Sequence, residues 1–539
     1  MIATAFALRL GRWGIVGFAG VAFVSSLIQA GGFYAIAGHT AAERAAFARS
    51  MSALASQFTL ILPPPSRLDT VGGYVQWRSF GSLAILFAIW ALASASGAAR
   101  GDEERGLVEA LLATGLTRLG LMGSRILAFA ASSVIAALAA GLGLIVGAAN
   151  GGESVSSRSV LEAALVLAAL ALSCYSVTLL VAQVVAARIA TAAAGIVLLV
   201  LFLINGLSHN FSSLSSLRWL SPFRYVELNQ PLSTGNIDVG ATLVLFAIAL
   251  GGGAAAAIAS ASRDLGSPLI RLPGRSRSAS HDTSRQPLWR IPVARGLYER
   301  RVGIAAWTVG MAALGAVCVA LTKSILQPML SIPALQPYFG GFLHGRMYPT
   351  FLGYLWLGTA QLLFAGFAIT QVARWSAEDA DGRLELSLAN PLSRAGVVVD
   401  RALVLTVGAI VIAAVSGLAV SYASHFQSID LDAARLAAAS LLLVPFALVF
   451  AAAGSVLAAW NPRAAVGLLG AFAFASYLVS EVAPILKLPE WVQTMSAFKL
   501  FGTPLTAGVD RAGLLTMVAI IVAGFGGSIL LMKRRDVGA

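Results

Sequence analysis

The segment GDEERGLVEALLATGLTRLGLMGSR (residues 101–125) returns, 276 residues further on, as AEDADGRLELSLANPLSRAGVVVDR (residues 377–401). In that register Gly106 meets Gly382, Glu109 meets Glu385 and Leu112-Ala113 meets Leu388-Ala389. Leu116, Arg118, Gly120 and Arg125 then meet Leu392, Arg394, Gly396 and Arg401. So many identities in one short polar segment mark an internal repeat. A separate match agrees: Phe223-Arg224, followed by Pro231-Leu232-Ser233 and Gly235, is echoed by Phe498-Lys499, then Pro504-Leu505-Thr506 and Gly508. A short turn recurs as well, Ala187-Arg188 in one half and Pro462-Arg463 in the other. The chain is read as two copies of one unit.

Around these loops the chain is apolar. Of 539 residues 58% are hydrophobic and 11% charged, and mean hydropathy is +0.82. A soluble domain carries about 25% charged residues, so too little polar surface is available here for a soluble fold. A span needs about 20 mainly apolar residues. In the first half spans are expected at 13–37, 79–99, 126–149, 159–187, 189–208 and 239–260. In the second they are expected at 303–323, 350–373, 402–424, 433–459, 464–482 and 512–532. The fold class is thus an all-α polytopic membrane protein of about twelve helices, built as two parallel six-helix repeats. The first run follows Arg9 and Arg12 and is too long for a signal-peptide core, so it is read as a retained span. The organisation expected is a first half at 1–260, a linker at 261–302 and a second half at 303–539.

Charge orients the chain. With both termini on the same side, 24 of the 37 Lys and Arg fall on that side, which the positive-inside tendency assigns to the cytoplasm. The expected location is the cell membrane, N-in and C-in. The linker is rich in Arg, Ser and Pro with net charge +6. It is read as a solvated segment near anionic headgroups. No nucleic-acid module accompanies it, so nucleic acid is not an expected partner. Cys174 and Cys318 both sit in apolar runs, which excludes a disulfide framework and a cysteine metal site. The five histidines lack ligand spacing, and no catalytic constellation is present.

Within the repeated loops, helices are expected over 101–117 and 377–393. Asp102, Glu103 and Glu104 precede the stripe Leu107, Val108, Leu111 and Leu112, while Glu378, Asp379 and Asp381 precede Leu384 and Leu388. Acids at a helix N-terminus suit its dipole, and Gly106 and Gly382 allow a bend ahead of each helix. Arg118, Arg125, Arg394 and Arg401 are expected to hold headgroups where the chain re-enters the bilayer. An interfacial helix would look the same, but repetition in both halves argues for a shared task, such as receiving a cytoplasmic partner.

The segments Glu103–Ala113 and Gly382–Arg394 resemble the E-x-G-x-L-E-x-L-L-A-x-P-[LV]-[ST]-R loop of ABC-2-type transporter permeases. Ser221-Pro222-Phe223-Arg224-Tyr225 and Pro231–Gly235 resemble the segment before that family's last span. The fused twelve-span form is similar to permeases of polyketide and polyether antibiotic exporters of the tetronasin type. The resemblance implies that each loop is a coupling helix docking one ABC ATPase subunit, two copies per chain. The implied coupling residues are Glu103, Glu104, Gly106, Leu107, Glu109, Leu111, Leu112 and Arg118, with Glu378, Asp379, Gly382, Leu384, Glu385, Leu388 and Arg394. The first copy has Thr114-Gly115 near the place of Pro391. No G-x-x-x-x-G-K-[ST] phosphate loop occurs. The chain is therefore expected to be no enzyme and to hold no cofactor, with ATP and Mg in the partner.

The expected function is export of a hydrophobic or amphipathic small molecule, antibiotic-like or lipid-like, from the cytoplasm or inner leaflet. The alternative is a twelve-span ion-coupled transporter, which would show membrane-embedded acids and a basic loop after the second span. Buried amides Gln183, Asn205, Gln361 and Gln371 mark either a substrate path or hydrogen bonds between helices. Residues 41–61, with Phe47, Met51, Leu54 and Phe58, form either a helix on the outer leaflet or one packed across the bundle.

Overall fold

A computed structural model describes residues 2–55, 62–209, 211–270, 291–330, 347–380, 382–389, 393–482, 489, 493 and 496–535. They divide into two compact units, Met1–Arg275 and Ser276–Ala539. Among the described residues, eleven helices are long and apolar enough to cross a membrane, and no strand occurs. The first unit contains α1 (Ile2–Ala37), α2 (Ala41–Ala55), α3 (Val71–Glu104), α4 (Leu107–Ala113) and α5 (Arg118–Asn150). It continues with α6 (Ser157–Val184), α7 (Ala187–Leu207), α8 (Pro222–Glu227), α9 (Pro231–Thr234) and α10 (Val239–Ser262). The second holds α11 (Pro292–Leu330), α12 (Met347–Asp379), α13 (Arg383–Leu388), α14 (Arg394–Phe426), α15 (Ala433–Trp460), α16 (Pro462–Val482) and α17 (Arg511–Arg534). The expected span at 464–482 lies in α16, whose apolar described part, Ala464–Tyr477, is shorter than the other eleven.

Several helices outrun their expected spans. The 33 residues of α5 rise about 50 Å, against a hydrocarbon core of about 30 Å. The helices start early because polar caps start them. Thr117 accepts from Gly120 N at 3.0 Å to open α5, and Ser393 accepts from Gly396 N at 3.0 Å to open α14. Likewise Thr70 caps α3 through Gly73 N at 3.1 Å. Both α3 and α12 widen into a π-turn near their start, at Gln76–Phe80 and Gly353–Leu357. In the first of these Gln76 turns its amide oxygen to Leu232 N of α9, at 3.2 Å.

In each unit the fourth long helix, α6 or α15, is the most buried of the spans and packs against four other long helices. Small residues allow the close approach: a Cβ at Gly143 on α5 would sit 2.1 Å from the Phe23 carbonyl oxygen of α1. The aromatic and aliphatic side chains of each unit form their own core, around Phe33, Phe87 and Leu144 in one and Trp356, Phe446 and Phe450 in the other.

The helix expected at 41–61 is α2. Phe47 meets Phe33 and Tyr74 edge-on at 6.1 and 6.0 Å, and Arg44 pairs with Glu153. Phe47 and Met51 thus pack against the bundle; the Leu54 side chain and Phe58 lie outside the described residues. The start is fixed by a capping box in which Thr40 N donates to Glu43 and Glu43 N to Thr40 Oγ1. In the second unit, residues 324–330, which follow the span expected at 303–323, continue α11, and 331–346 lie outside the described residues.

Of the segment expected to be a solvated linker, 261–270 and 291–302 are described and both are structured, while 271–290 lie outside the described residues. Leu269 N and Ile270 N donate to the carbonyls of Gln183 and Val184 at 3.0 and 3.2 Å, because the last carbonyls of α6 have no helical partner. Residues 292–302 form the first turns of α11.

Candidate functional site

The repeated loops were expected to carry helices over 101–117 and 377–393. Each is broken instead. In the first, α3 runs on through Asp102, Glu103 and Glu104 before Gly106, at φ +71°, turns the chain. Gly382 does the same at φ +71° after Asp379. In both, the glycine N–H returns to the carbonyl three residues back, at 3.1 Å. Only glycine adopts this left-handed conformation without strain, so each spanning helix stops there and a short helix, α4 or α13, begins.

Asp102, Glu103 and Glu104, like Glu378 and Asp379, are thus at the C-terminus of the long helix, not the N-terminus of the short one, which corrects the expected arrangement; Asp381 lies outside the described residues. A helix C-terminus disfavours carboxylates; arginines offset this. Arg125 reaches Asp102 at 2.8 Å and Arg401 reaches Glu378 at 2.8 Å. Arg263, just past α10, grips Glu103 through both nitrogens at 2.8 and 2.6 Å. Arg535, just past α17, meets Asp379 at 2.5 Å. Arg118 donates to the Arg263 carbonyl at 2.5 Å, and Arg394 to the Arg535 carbonyl at 2.6 Å. These last bonds satisfy carbonyls that the helix end leaves open. The arginines expected to hold headgroups therefore hold protein, because unpaired carboxylates and carbonyls lie within their reach.

Each short helix sets one residue into its unit. Val108 is buried, and Leu384 joins Val398, Ala459 and Met532 in a small apolar cluster with Leu388 at its edge. Leu111 and Leu112 are half-buried. The opposite face is open: Glu104, Leu107 and Glu109 are exposed on the first loop and Glu385 on the second. Beside α4 a groove of about 300 Å³ is lined by Phe6, Leu10, Leu111, Leu116 and Leu121, with the Asp102–Arg125 pair at its wall.

The four amides are not brought together. Gln183 is fully buried and accepts from Arg263 Nε at 2.6 Å. Asn205, at the other end of the bundle, donates to Glu227 at 3.0 Å. In the second unit Gln361 and Gln371 are buried, and Gln371 Oε1 has no partner among the described residues. Glu227 also receives His209 at 3.2 Å and Arg224 at 3.0 Å. Burial opposes its ionisation, but the bonds from His209 and Asn205 and the charge of Arg224 outweigh burial and hold its carboxyl below the usual range. Among the described residues no cluster of His, Cys, Asp and Glu is placed to hold a metal ion.

Over residues 2–260 and 290–530 the chain matches the family described as multidrug efflux system permease Rv1217c, C-terminal domain. The chain belongs to this multidrug efflux permease family. No curated protein matches it. The efflux permease is a multi-pass protein of the cell membrane, and both matched stretches stop just short of Arg263 and Arg535, the residues that grip Glu103 and Asp379. Sequence reasoning missed these two arginines and Arg100. The signal available was position: each of the two follows the last span of its half, where it had been counted only as charge.

Proposed function

We propose that this permease is the membrane subunit of an ATP-driven exporter, with α4 and α13 as the surfaces on which separate ATP-binding-cassette subunits dock. One observation carries the reading. Each unit holds a short helix off the end of its bundle, behind a left-handed glycine and between two arginine anchors, with a carboxylate turned outward (Glu109, Glu385). Such a repeated, outward-facing element, tied at both ends to its bundle, suits a partner that applies force. The groove beside α4 would accept an apolar side chain of that partner. ATP and Mg belong to the partner, and the termini lie in the cytoplasm by the Lys/Arg excess. The cargo is a hydrophobic or amphipathic compound leaving the cytoplasm or inner leaflet. The twelve-span ion-coupled alternative gains nothing from the loop, which is acidic and paired rather than basic.

One docking surface per half requires two ATPase subunits for each permease chain. The mass of the complex purified in mild detergent tests this. A ratio of one to two is expected; two permease chains with two ATPases would show that the halves are not separate docking units.

A further inference from the structure

The short helices are bracketed in a way that their docking alone does not require. Ahead of α4, Glu103 is bound to Arg263; behind it, Arg118 is bound to the Arg263 carbonyl. Ahead of α13, Asp379 is bound to Arg535; behind it, Arg394 is bound to the Arg535 carbonyl. Both ends of each loop are thus fastened to one residue, the one that ends the last long helix of its unit. Displacing either end of the loop moves that helix end or breaks the ion pair ahead of the short helix or the hydrogen bond behind it.

The two fastenings differ in strength. Glu103 and Arg263 have side chains 5% and 4% exposed. Arg100 adds a third group, donating to Glu103 at 3.1 Å and to the carbonyls of Ala182 and Val185 at 2.7 and 2.9 Å. Gln183 takes Arg263 Nε, and Gly266 N also donates to Glu103. Opening this set would leave buried charges without partners, which is strongly unfavourable. In the second unit Ser376 stands where Arg100 does and Ala459 where Gln183 does. Asp379 is 9% exposed but Arg535 is 25% exposed, so water can receive the guanidinium when the pair parts.

We propose that in each half this ion pair couples the docking loop to the last helix, as a fixed link in the first half (Glu103–Arg263) and as an openable one in the second (Asp379–Arg535). The four residues are positioning residues for coupling. The inference rests on α4 and α13 being docking surfaces.

The test uses the permease with its ATPase partner in proteoliposomes. If the wild-type chain fails to retain any ATPase, the docking reading falls, and the links with it. With docking shown, Asp379→Asn combined with Arg535→Gln removes the second pair as a unit and leaves neither charge stranded. It should lower the ratio of substrate-stimulated to basal hydrolysis at least tenfold, and Asp379→Glu should keep most of that ratio. Full stimulation in the double variant would overturn the coupling role. Opening is read separately, with cysteines under each pair. Ala459→Cys, beneath the second, should react with a thiol reagent several-fold faster during ATP turnover, whereas Ala182→Cys, beneath the first, should stay protected; both positions are buried at rest. Equal reactivity at the two sites would overturn the division into a fixed and an openable link.

Discussion

Replacing Glu109 and Glu385 together by alanine separates docking from folding. Both carboxylates are exposed, and among the described residues neither takes part in an ion pair. Exposed charges of this kind contribute about 0–1 kcal/mol to stability, so the double variant should insert and melt like the wild type. Docking is different. If each carboxylate receives a charged hydrogen bond from an ATPase subunit, its loss costs about 1.5–3 kcal/mol per interface, a weakening of tenfold or more for each subunit. The two interfaces lie on separate repeats, so the single variants should each weaken one subunit and only the double should strip both. Export and substrate-stimulated ATP hydrolysis, measured for both singles and the double at matched expression, give the answer. Full coupled transport by the double variant would refute the docking role of these carboxylates. A defect in only one single variant would show the halves to be unequal, consistent with Thr114-Gly115 in one loop and Asn390-Pro391 in the other.

Two further outcomes are expected. Cysteines placed singly at the exposed positions Ser215 and Ala110 should label oppositely with an impermeant thiol reagent in intact cells, Ser215→Cys reacting and Ala110→Cys only after permeabilisation; the reverse would invert the orientation. The native Cys174 and Cys318 are buried and need not be removed. For Glu227, a folded-state pKa below the ordinary 4.5 means that its stabilisation is complete above about pH 4.5 and is lost as pH falls through the lowered value. The purified protein should therefore lose less thermal stability between pH 5 and pH 3 as Glu227→Gln than as wild type, and an identical loss in the two would exclude the cluster with His209, Asn205 and Arg224 as a source of acid sensitivity.

Membrane class and span order were legible because they depend on composition over about 20 residues, which no tertiary contact overrides. The ends of the helices were not. Hydropathy marks where the bilayer needs a helix, whereas caps and packing decide how far it continues. Thus α3 starts at Val71 rather than 79, because Thr70 caps it and because glycine at 72 lets the turn lie against the Leu232 carbonyl, where a Cβ would be 2.4 Å away. The breaks at Gly106 and Gly382 were readable from residue type. That Asp102–Glu104 belong to the helix before the break was not, since acids ahead of an apolar stripe suit either side of a glycine until their partners are known.

Those partners are remote: 160 residues separate Glu103 from Arg263, and no local pattern joins them. Read from the sequence, Arg263 and Arg535 count only toward which side of the membrane each loop occupies. That use and their place in the folded protein do not conflict. The tally counts Lys and Arg and gives little weight to acids, so an arginine that later pairs with a carboxylate orients the chain as well as a free one would. Insertion precedes packing, and once the spans are in place the same groups lie at one end of the bundle, where unpaired carboxylates and open helix carbonyls compete for them. Arg118 and Arg394 show the result: each begins one long helix and satisfies the carbonyls that end another. Charge that sets topology by number thus comes to join the repeated loop to the last helix by position, and only the second of these depends on which arginine it is.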